Sequence, residues 1–174
     1  MTKNDAIYAT FEAFEEQLAH CYFILHERFI ADSSLAKFWS DTAMEELQHA
    51  SMLRYCRERD IMAEVDLDLE TPSHVEQLLD TVQGIVNDPD VTVDQAFYAS
   101  LLVESSEMDE VYEKLTRALA RDHRVLYDAI KASLRSHHDR FADGTEQFCN
   151  DGSLTEAFRT LGRSERRALC GRSI

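Results

Sequence analysis

The stretch FWSDTAMEELQHASMLRY, residues 38 to 55, repeats its apolar positions at helical spacing and sets two ligand-type side chains among them. Trp39, Ala43, Glu46, Ala50 and Leu53 follow one another in steps of four and three, the period of a helix face turned toward a core. Glu46 lies on that line, and His49, three positions on, is its neighbour one helical step further round. A carboxylate and an imidazole on an inner stripe have two readings: part of a metal site, or buried polar groups satisfied by their neighbours.

The same period extends outward in both directions. Over residues 5 to 31, Phe11, Phe14, Leu18, Cys21, Leu25 and Phe29 form one inward stripe. ADSS, residues 31 to 34, breaks the pattern, with Ser33 or Ser34 able to cap a second helix over roughly 35 to 60. So short a break predicts that the two helices lie antiparallel. From 61 to 92 the chain changes character: Thr71 and Pro72 read as the start of a short helix, and NDPD, residues 87 to 90, as its end. Thr92 with Gln95 makes a capping-box pattern before a third long helix over about 93 to 115. A fourth, over about 118 to 140, aligns Leu119, His123, Leu126, Ile130, Leu134, His137 and Phe141. No Gly or Pro separates the third from the fourth, so one continuous helix is the alternative. A hairpin is preferred, because a single one-faced helix that long would need another partner for its far half. Ser153 with Glu156 can cap the first of two short helical patterns in the last segment. The expectation is an all-α chain: a bundle of four long helices over 1 to 141, a long crossover between helices 2 and 3, and a helical extension over 142 to 174.

Composition agrees with long helices: the 174 residues include only 5 Gly and 2 Pro. A formal net charge of -15 repels nucleic acid and anionic membrane and attracts cations. No run of about 18 apolar residues occurs, so no transmembrane span is expected. The first residues, MTKNDAIYATFEAFEE, lack the apolar core of a signal peptide. Cys21, Cys56, Cys149 and Cys170 make no Cys-x-x-Cys pair, which excludes a zinc ribbon or rubredoxin-like iron site. Cys149 and Cys170 can pair in an oxidising compartment; reduced thiols in a cytoplasmic protein are the expectation.

The ligand-type residues fall into two halves. Glu15 shares a face with Phe11, Leu18 and Tyr22, and an antiparallel hairpin can place it opposite Glu46 and His49. Glu104 sits mid-stripe in the third helix, and a hairpin near 116 to 118 brings His137 within about one turn of it. His138 is the alternative; periodicity favours His137. Glu107, one turn from Glu104, can face inward with it. Carboxylate oxygens mixed with imidazole nitrogens suit iron or manganese better than calcium. Bound metal would also relieve the cost of burying several carboxylates together.

FEEQLAHCYFILHERF (14 to 29) followed by LAKFWSDTAMEELQHASML (35 to 53) resembles the first half of the ferritin-like superfamily, particularly its rubrerythrin-like members. LLVESSEMDEVYEKL (101 to 115) resembles the third-helix segment. The resemblance covers roughly residues 8 to 140 and implies a di-iron site. Glu15 would be a terminal ligand, Glu46 a bridging ligand, His49 a nitrogen ligand and Glu104 the third-helix carboxylate. Glu104 and Glu107 would resemble the rubrerythrin pair in which a second glutamate changes places with an iron ligand. The implied activity is ferrous oxidation coupled to reduction of dioxygen or peroxide, with Tyr22 as a nearby hydrogen-bond donor. The chain departs from the family in its second half. SLRSHH (133 to 138) has Leu134 and Arg135 where a bridging glutamate belongs, LARDHR (119 to 124) lacks one too, and Asp128 and Asp139 do not replace it by spacing. The rubredoxin-like cysteine module is absent. Iron, manganese or no metal are the cofactor readings, and a homo-oligomer, as a dimer, is the expected assembly. The alternative function is a non-catalytic bundle with one metal or none, serving as a structural, sensor or interaction protein.

Overall fold

The computed structural model describes residues 3–59, 61, 71–106, 119 and 123–170, and among these the chain forms six helices and no strand. They are α1 (Lys3–Arg28), α2 (Ser33–Glu58), α3 (Thr71–Val86), α4 (Val93–Glu104), α5 (Arg124–Phe148) and α6 (Gly152–Cys170).

α1 and α2 pack along each other, and their contacts run in opposite chain order. His26 Nδ1 lies 2.9 Å from the Ala36 carbonyl, and the Tyr22 ring stacks on Trp39 at 5.7 Å. Further along, Glu12 accepts from Arg54 at 2.5 Å and Arg57 at 2.9 Å. That order makes the pair antiparallel, as the short break predicts. The α2 cap differs from the sequence reading. Asp32, not Ser33 or Ser34, is the N-cap, its carboxylate accepting from the Ser34 and Leu35 amides. Thr92 and Gln95 form the expected capping box at α4.

α4 is shorter than the sequence period predicts. It ends at Glu104, where the Ser105 hydroxyl takes the Leu101 carbonyl at 2.7 Å and the Ser106 amide bonds back to Val103. Two consecutive serines compete with the helix for its own hydrogen bonds. The remainder of the expected third helix and the hairpin near 116 to 118 lie outside the described residues. The fourth long helix is shifted, starting at Arg124 and ending at Phe148. It runs unbroken through 141 and 142, where the sequence reading divides bundle from extension. α6 is one helix rather than two short ones, and Asp151, not Ser153, accepts at its start.

The core is aromatic. The Phe38 ring lies 5.0 Å from both Trp39 and Phe97, and 5.6 Å from Phe141. Gly144 permits this: a Cβ there would stand 2.5 Å from the Phe38 ring, so α5 approaches α2 only as glycine. Phe158 of α6 stacks on Phe141 at 5.0 Å. α3 packs on α1 and α4 through Val75, Leu79, Val82 and Val86, and Arg28 at the end of α1 donates to the Pro89 carbonyl.

Candidate metal centre

Four helices send ligand-type side chains into one buried cluster. α1 supplies Glu15, α2 supplies Glu46 and His49, α4 ends on Glu104, and α5 supplies His137 and His138. Glu15, Glu46 and His137 are each 2 % exposed, so burial of charge dominates their chemistry. The ligand atoms of Glu15, Glu46 and His49 all lie within 4.8 Å of one another, and so do those of Glu46, Glu104 and His137. Glu46 belongs to both sets, and its two oxygens divide between them. Oε2 lies 2.8 Å from His49 Nδ1, and Oε1 faces His137 Nε2 at 3.4 Å. The latter contact lacks hydrogen-bond geometry, which leaves Oε1 a buried carboxylate oxygen without a donor.

His137 stands among three carboxylates. Its Nδ1 is 2.8 Å from Glu45 and its Nε2 is 3.0 Å from Glu104. Burial pushes the imidazole toward neutrality, but the charges of Glu104 and Glu46 and its hydrogen bonds to Glu104 and Glu45 overcome this and hold it well above the ordinary range. Glu104 mirrors it. Burial pushes its carboxyl up, yet the His137 charge and hydrogen bonds from His137 and His138 leave it well below the usual carboxylate value. Glu45 is lowered in the same way, with burial outweighed by His137 and Arg140.

The cluster joins Glu15, Glu46, His49, Glu104 and His137, five of the residues the sequence singled out; Glu107 lies outside the described residues. His137 and His138 are not alternatives, because both are buried and His138 Nε2 meets the other Glu104 oxygen at 3.0 Å. Leu134 lines the cluster, while Arg135 is exposed. Asp128 is exposed beside Arg124, and Asp139 is exposed, so neither joins the buried cluster. His20 and His123 are also exposed. Sequence reasoning missed Glu45, Arg140 and Ser133. Arg140 makes a two-pronged ion pair with Glu45, and Ser133 Oγ lies 3.5 Å from His49 Nε2. All three sit beside the stripe, and only the register between α2 and α5 brings them to it.

The cluster lines a cavity of about 30 Å³ walled on its apolar side by Phe14, Leu18, Val103 and Leu134. That is room for a water or an ion, not an organic substrate. Phe14 also lines a groove of about 340 Å³ between α1 and α3. Tyr22, expected as a nearby hydrogen-bond donor, lies buried beside the cluster. Its hydroxyl is buried without a hydrogen-bond partner, and nearby Ser100 gives its own hydroxyl to the Ala96 carbonyl. Burial and the negative charges of Glu104 and Glu46 push the phenol well above its ordinary value.

No protein-family model matches the chain, and no curated protein or solved structure matches it either.

Proposed function

We propose that the chain is a ferritin-like four-helix bundle that binds two metal ions and couples ferrous oxidation to reduction of dioxygen or peroxide. In this reading α1, α2, α4 and α5 are the four bundle helices, α3 lies in the crossover and α6 is the extension. One observation carries it: two sets of two carboxylates and one imidazole overlap through a shared Glu46. The donor set fits a cation on a second count, since the Glu46 Oε1 atom is buried without a donor. Mixed oxygen and nitrogen ligands suit iron, with manganese next.

Iron bound here would supply electrons one at a time to a small oxidant. The chain's own residues prepare the place. Glu46 would be the ligand common to both positions, with Glu15 and His49 in one set and Glu104 and His137 in the other. The walls of Phe14, Leu18, Val103 and Leu134 limit access to small molecules. The His137 proton that now faces Glu104 would leave as a metal ion enters.

Anaerobic titration with ferrous iron tests the reading. The expected result is saturation near about two ions per chain, falling to one or none in Glu46→Ala. A second reading, a non-catalytic bundle with one metal or none, has its own support. Both nitrogens of His137 and both oxygens of Glu104 already have partners within the protein. Saturation at one ion or none in the wild type decides for it. Metal analysis of protein purified without chelator separates iron from manganese.

A further inference from the structure

The two candidate ligand sets are alike in composition, each with two carboxylates and one imidazole. Behind His137 stands a carboxylate: Glu45 Oε2 lies 2.8 Å from Nδ1. Both Glu45 oxygens are held by the guanidinium of Arg140, one turn further along α5, and that guanidinium rests 5.9 Å from the Phe38 ring centroid.

We propose that Glu45 and Arg140 are positioning residues that set the metal affinity of the Glu46, Glu104 and His137 position. This rests on the metal-binding reading above. A carboxylate can only accept a hydrogen bond, so Glu45 keeps the hydrogen of His137 on Nδ1. Nε2 is then the ring atom left to face Glu46 and Glu104, the two carboxylates of its set. Arg140 fixes Glu45 as a planar fork, a geometry that holds a carboxylate in orientation as well as position. Because Arg140 leans on Phe38, the chain of contacts runs from the aromatic core through guanidinium and carboxylate to the ligand ring. Partners of this kind fix ring orientation and raise ligand basicity, and their loss costs about 10–100-fold in metal affinity.

The test is titration of the metal-free protein with Co(II) alone, followed by calorimetry and by the visible absorption that reports cobalt coordination. Glu45→Gln should weaken one of the two binding steps by about 10–100-fold and alter its absorption, leaving the other step as in the wild type. If Glu45→Gln does not fold because Arg140 is left without its partner, the double variant Glu45→Gln, Arg140→Gln carries the same expectation. Equal weakening of both steps would mean a general effect of charge and overturns the proposal, as would two unchanged steps. A wild-type protein that binds no Co(II) overturns the metal-binding reading itself, and this inference with it.

Discussion

His137 places one imidazole among Glu45, Glu46 and Glu104, and metal-free stability should carry its signature. Its affinity for a proton is raised in the fold, so its stabilising contribution is complete below the ordinary histidine value of 6.5 and fades as pH rises through the higher folded value. Glu104 is depressed, so its contribution is complete above the ordinary value of 4.5 and fades as pH falls through the lower folded one. Both are fully present between those two ordinary values. The melting temperature of metal-free protein should therefore fall as pH climbs from about 6.5 into the alkaline range, and His137→Gln should flatten that decline. Thermal scans of both proteins across pH, in chelator, check it. At this scale the sequence showed the candidate ligands better than the residues behind them. Glu46 and His49 were legible because helix geometry alone makes them neighbours, and His137 because it continues a stripe. His138 was set aside for lying off that stripe. It is buried nonetheless, because α5 presents one histidine to Glu45 and to one Glu104 oxygen and the next to the other Glu104 oxygen. Glu45 and Arg140 stand 95 residues apart, and no local pattern links them.

Elements were legible where apolar period and punctuation agreed, and misread where short polar residues competed. The inner stripes of α1 and α2 match the buried residues almost throughout, with only Phe29 partly exposed. Each misread cap was a serine preferred over an aspartate just upstream. Asp32 and Asp151 win because an ionised carboxylate accepts from exposed helix amides and also answers the positive end of the helix dipole. Gly144 shows the reverse error. As a residue beyond the fourth stripe it fell in the helical extension over 142 to 174, yet it lies buried within α5 against Phe38. Helix propensity alone says that Gly144→Ala should stabilise by up to about 1 kcal/mol. Close packing says otherwise, because the new methyl would meet the ring 2.5 Å away and Phe38 is hemmed in by Trp39, Phe97 and Phe141. Overpacking typically costs about 1–3 kcal/mol, so the net effect should be destabilising. Urea unfolding measures it, and a midpoint at or above wild type would show that α5 can shift without loss.

Across the molecule, the cluster is where α1, α2, α4 and α5 all meet through charged groups rather than rings. Glu15, Glu46, Glu104 and His137 each come from a different helix, so one bound ion pair would tether four elements that fold together only in the native state. Metal that binds the folded chain and not the unfolded one stabilises it by mass action, by about 2.7 kcal/mol at one hundred times its dissociation constant. For a chain of this size that is a rise of roughly 5–10 °C in melting temperature. The rise should disappear in excess chelator and be smaller in Glu46→Ala, which removes the ligand common to both sets. It should also grow with pH, for two reasons of the same sign. The proton between His137 and Glu104 competes with the metal, so binding tightens as that proton is lost. Over the same range the metal-free protein loses the support of its imidazolium and melts earlier. Melting curves with and without Mn(II), from pH 6 to pH 8, measure the difference directly. A gap that widens with pH makes His137 a ligand that exchanges its proton for metal; a gap that is absent at every pH leaves the cluster as a self-contained ion network and decides for the non-catalytic bundle.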